Sequence, residues 1–60
     1  MTRDESLEAA IGAVTALMRV CAEYEDLHTA QMAMRCQKAL IGQRTPQQVA
    51  QMEAARGLAA

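Results

Sequence analysis

The chain has 60 residues, a mass of 6.5 kDa and a formal net charge of −1. So short a chain buries only about 60% of the surface its unfolded form exposes, which excludes a cofactor-sized interior cavity and limits residues 1–60 to one small domain. Thirteen residues are Ala and five are Met, against one Tyr and no Phe or Trp. Such a composition favours helix but supplies few large groups to offset the entropy of ordering the chain, so the core is expected to be completed by a second copy or a partner.

The near-neutral total hides an asymmetry. Residues 1–30 carry six acids and two bases, and residues 31–60 carry four bases and one acid. The acidic half can therefore lie against the basic half, and the molecule as a whole lacks the strong positive charge of a general nucleic-acid binder. The sequence shows no basic start followed by an apolar run and no stretch suited to a bilayer, so a cytoplasmic location is expected, with Cys21 and Cys36 reduced.

The first predicted helix runs from about residue 3 to 25. Thr2 followed by Glu5 fits a capping box, and Asp4, Glu5 and Glu8 complement the positive end of the helix dipole. Leu7, Ile11, Val14, Met18 and Cys21, with Ala10, Leu17 and Tyr24, fall within a sector of about 140°. Ala9, Gly12, Ala13 and Ala16 make a second, small-residue surface.

Beyond Tyr24 the apolar heptad positions become His28, Gln31, Arg35 and Lys38, so the stripe breaks near residues 25–29. Asp26 or Thr29 is the natural cap of a second helix, over about 27–41, that ends at Gly42. This helix would carry Leu27, Ala30, Met34 and Ile41 on one side and Met32, Ala33, Cys36 and Leu40 on the other. The preferred arrangement is an antiparallel hairpin, and one continuous helix from about Asp4 to Ile41 is its rival. A turn centred between His28 and Thr29 would set Cys21 against Cys36, Tyr24 against Ala33 and Leu17 against Leu40.

Thr45, Pro46, Gln47 and Gln48 place a cap, a proline at the first helical position and a capping-box Gln in order. The third helix, about 46–56, closes at Gly57 and offers Val49 and Met52, with Ala55 and Leu58 nearby, for docking. The expected fold is thus all-α: an antiparallel helical hairpin plus a short C-terminal helix, paired as a homodimer in a bundle-like core. In outline alone this is similar to the small plasmid-encoded RNA-regulating hairpin dimers.

Chemistry-bearing patterns are sparse. Glu25-x-x-His28 has the one-turn spacing of di-iron bundles, but no Asp or Glu lies between Leu27 and Met52 to complete such a site. His28 therefore reads as a solvated or turn-capping residue, and the two Cys as small core residues. Ser6 is the only Ser, and no phosphate loop or Cys-x-x-Cys pair occurs. No catalytic residue, metal ligand or cofactor is expected, and the chain reads as a non-enzyme.

Two binding surfaces remain. Leu27, Met34 and Ile41, flanked by Arg35 and Lys38, form an apolar helix face left over when the other side packs on the first helix, and such a face usually means a protein partner. An adaptor or inhibitor, comparable to the small accessory proteins of bacteria and phages, is the expected class. The alternative is a nucleic-acid-binding regulator using Arg35, Lys38, Arg44 and Gln47, because helix, turn and helix is the outline of a helix-turn-helix and Gln can pair with adenine.

Overall fold

A computed structural model describes residues 1–57 and contains, among them, α1 (Arg3–Glu23), α2 (Leu27–Ile41) and α3 (Pro46–Ala55). Each helix begins where a side chain can take up orphan backbone donors. Thr2 and Glu5 form the reciprocal capping box on α1, Asp26 accepts from the Thr29 N–H on α2, and Thr45 accepts from the Gln48 N–H on α3. Between Asp26 and Thr29, the two sequence candidates, Asp26 is the cap: its second oxygen also accepts the Thr29 hydroxyl, at 2.6 Å.

The chain folds back as a hairpin in a turn without glycine or proline. α1 ends at Glu23, earlier than expected, because Glu25 takes a left-handed conformation with φ of 55°. The Asp26 N–H then reaches the Cys21 carbonyl at 2.9 Å, and the Glu25 N–H reaches that of Ala22 at 3.3 Å. These are the two hydrogen bonds of a Schellman motif, with Glu25 at the position glycine favours. Three residues after the last turn of α1, α2 runs antiparallel to it, and backbone packing is concentrated between these two helices.

The register differs from the one expected. Gln37 donates to the Thr15 hydroxyl at 2.9 Å and Arg44 pairs with Glu8, and in both pairs the residue numbers sum to 52 rather than 57. The turn is centred near Asp26, so the opposition of Cys21 to Cys36 is lost: Cys21 is buried and Cys36 is exposed. Tyr24, at 78% exposure, meets no core at all. A Schellman turn closes over fewer residues than a turn at His28 and Thr29, and shortening the connection slides α2 along α1.

On α1 the large apolar residues Leu7, Ile11, Val14, Met18 and Cys21 are buried or half-buried, as the stripe predicts, and Asp4, Glu8, Ala10 and Thr15 are half-buried beside them. Leu17, expected in the same stripe, is exposed with Tyr24, because one helix covers only part of a 140° sector. The inner face of α2 falls between the two faces read from the sequence. Ala30, Ala33, Gln37 and Leu40 turn inward, while Met32 and Cys36 are exposed. Ala33 is buried and lets the helices approach, and half-buried Gln37 is satisfied by Thr15, which itself donates to the Ile11 carbonyl.

At its far end α2 stops at Gly42, which keeps a right-handed φ of −63°, and Gln43 and Arg44 continue in tight turns bonded to Leu40 and Ile41. α3 returns toward the first turns of α1. Its inward residue is Gln48, with Met52 half-buried, and Val49 lies outside. Gly57, with φ of 72°, closes α3 through a bond to the Ala54 carbonyl. The expected contribution of Leu58 lies outside the described residues.

Candidate interaction surface

Three residues of α2 carry the apolar side left uncovered by the hairpin. Leu27, Met34 and Ile41 recur every seven residues, so they stay within about 40° of one another around the helix. All three are exposed, Leu27 to 76%. At the turn end this strip opens into a groove of about 510 Å³ between α1 and α2, lined by Met18, Cys21, Ala22, Leu27 and Ala30 with Glu25 and Asp26 at its lip. Arg35 and Lys38 are exposed on the same helix, and among the described residues neither makes an ion pair.

The remaining cation of that group has a different place. Arg44 grips Glu8 with two hydrogen bonds, Nε to Oε2 at 2.9 Å and Nη2 to Oε1 at 2.7 Å. Gln48 donates from Nε2 to the same Glu8 oxygen at 2.7 Å and is only 4% exposed. This hub joins the start of α1, the loop after α2 and the first turn of α3. Arg44 holds the Glu8 carboxyl below the usual carboxylate range, helped by Gln48 and the charge of Arg56, and Glu8 in turn raises the pKa of Arg44. Arg3 adds a bond to the Gln43 carbonyl at 2.7 Å.

The hub changes the balance between the two candidate surfaces. Arg35, Lys38 and Gln47 are exposed, but the fork of Arg44 is occupied by Glu8 and would have to release it before meeting a phosphate. The acidic first turns of α1 also stand beside α3, where Asp4, Glu5 and Glu8 line a shallow cleft with Gln48, Gln51 and Met52. That cleft repels a polyanion at the side where α3 would have to approach one.

Sequence reasoning missed the residues that set this geometry. Thr15 and Gln37 are polar and in a sequence read as solvated; Glu8 reads only as a charge at the start of α1, and Gln48 as a capping-box residue, whereas its side chain donates to Glu8 instead. The one available signal was the opposite charge of the two halves, which anticipates the pairing of Glu8 with Arg44 without naming it.

His28 is exposed on the first turn of α2, and Glu25 is held in the turn. Among the described residues no three His, Cys, Asp or Glu side chains gather into a metal-sized cluster, and no helix is long and apolar enough to cross a membrane. No family model matches this sequence, and no curated protein or solved structure matches it.

Proposed function

We propose that this chain is a non-enzymatic protein-interaction module, an adaptor or inhibitor working in a reducing cytoplasm, that receives an apolar segment of its target along Leu27, Met34 and Ile41. The observation that carries this reading is the exposure of those three side chains in one line that continues into the groove beside Met18 and Ala22. A strip of apolar anchors at heptad spacing, with the groove at its Leu27 end, suits an amphipathic helix presenting residues at i, i+3, i+4 and i+7. Arg35 and Lys38 at the rim favour a partner with acidic residues beside its apolar face, which would speed encounter more than it strengthens the final complex.

The test compares proteins retained from a cell extract by the wild-type chain and by Met34→Asp, with circular dichroism on both. The expected result is loss of a specific bound protein with helicity unchanged, because a charge at a desolvated contact is costly. Retention of the same proteins by Met34→Asp would refute the assignment of this face, and collapse of helicity would move Met34 into the core. Bound material that is destroyed by nuclease, with affinity falling steeply as salt rises, would favour the nucleic-acid reading through Arg35 and Lys38 instead.

A further inference from the structure

α1 carries a second stripe that its hairpin partner leaves exposed except at half-buried Ala10. Ser6, Ala10, Ala13, Leu17, Val20 and Tyr24 follow one another at intervals of four and three, about 100° around the helix from the stripe that meets α2. Leu17, Val20 and Tyr24 are exposed. No charged residue interrupts the stripe over five turns, although charged residues are frequent elsewhere on α1.

The other helix extends this surface. Ala22 and Leu27 line the same groove, which identifies one side of the hairpin. Residues turned the opposite way around each helix therefore share the other side, and on α2 these include Met32 and Cys36, both exposed. The hairpin thus has two uncovered apolar sides: a groove with Glu25 and Asp26 at its lip, and a second face whose α1 stripe carries no charge.

We propose that the uncharged α1 stripe is covered by a second copy of this chain, with α1 packed antiparallel on α1 of its partner about a twofold axis level with Thr15. One observation gives the area open to a partner, and two select a copy of the same chain. First, the chain exposes 4733 Å², whereas a compact monomer of this mass exposes about 3,800 Å². The excess of roughly 900 Å² is close to the 800 Å² or so that each partner gives up in a standard interface. Second, the stripe is complementary to its own reverse. An antiparallel pairing about Thr15 sets Ala13 against Leu17, Ala10 against Val20 and Ser6 against Tyr24, a small residue facing a large one each time. Third, the strict heptad interval is the one that keeps a seam aligned along a facing helix, and without charges the seam meets its own copy with no like-charge contact. The pairing leaves the Leu27 groove open, so it stands or falls independently of the target proposed for that groove.

The experiment is sedimentation velocity over a concentration series with circular dichroism on the same samples, for the wild type, Leu17→Lys, Ala13→Glu and Met34→Asp. The wild type should sediment as a dimer of about 13 kDa. Leu17→Lys should need a roughly 100-fold higher concentration to dimerise, because it buries an unpaired charge, while Met34→Asp should match the wild type. Mixing Leu17→Lys with Ala13→Glu should restore the dimer, since the new charges face each other in this register. If either variant is unfolded alone, the mixture still decides: recovery of mass and helicity supports the pairing, and no recovery overturns it. A wild type that is monomeric at every concentration, or a dimer lost in Met34→Asp and kept in Leu17→Lys, would also overturn it.

Discussion

The turn that makes this chain a hairpin rests on a residue in an unfavourable conformation, and replacing it should strengthen the fold. Glu25 has φ of 55°, where the Cβ of an L-residue crowds the following carbonyl, at about 1–2 kcal/mol. Glycine avoids that contact but loses more freedom on folding, at about 0.5–1 kcal/mol. The difference makes Glu25→Gly more stable by about 0.5–1 kcal/mol, and in a domain of this size 1 kcal/mol moves Tm by about 4–8 °C. The measurement is thermal unfolding by circular dichroism at one fixed protein concentration, since self-association would make Tm concentration-dependent. Glu25→Ala serves as control, because it removes the carboxylate and keeps the Cβ, and its Tm should stay near that of the wild type. If Glu25→Gly melts at or below the wild-type temperature, the Schellman turn is not the structure of this connection. A rise shared equally by Glu25→Ala would instead assign the effect to charge.

Two further outcomes test the packing and the polar hub. Ala33 is buried where α2 meets α1, so Ala33→Leu should destabilise the fold by about 1–3 kcal/mol, read as a lower Tm; an unchanged Tm would mean the helices do not approach there. Acid should weaken the fold through Glu5, Glu8 and Asp26, whose carboxyls are all held below their ordinary values, by Thr2, by Arg44 and by Thr29 respectively. Because the folded state lowers these pKa values, the stability they contribute is complete above the ordinary values of 4.5 for Glu and 3.8 for Asp and is lost as pH falls through and below them. Urea titrations should therefore give a constant midpoint from pH 7 to about 5.5 and a falling one below pH 4.5, with a shallower fall in Glu8→Gln; the same slope in both proteins would remove Glu8 from the account.

The helices themselves were legible because their causes are local. A cap such as Thr2 or Thr45 acts on a backbone N–H three residues away, and Pro46 fixes its own φ, so each start can be read from a few neighbouring letters. Spacing likewise gives the centre of the inward face of α1, Leu7 to Cys21, though it sets Leu17 and Tyr24 in the same sector and the structure leaves both exposed. Exposure of Leu27, Met34 and Ile41 was also legible, since a helix with apolar residues on two sides cannot bury both against one neighbour.

What only the tertiary structure decided is how far one helix slides past the other and which polar residues go inside. A left-handed Glu25 is not written in the residue type, because glutamate pays for that conformation only where the contacts beyond the turn hold it. Shifting the facing pairs by five in their summed numbers moved Cys36 out of the core and brought Gln37 against Thr15 and Arg44 against Glu8. Those pairings depend on atoms more than twenty residues apart in the chain, and no local propensity ranks one register above another. The sequence by itself thus determined the helical class and the caps at Thr2 and Thr45; the turn at Glu25 and the long-range hydrogen bonds accompany the register that only the tertiary structure decided, and with it which apolar side chains remain free to meet a partner.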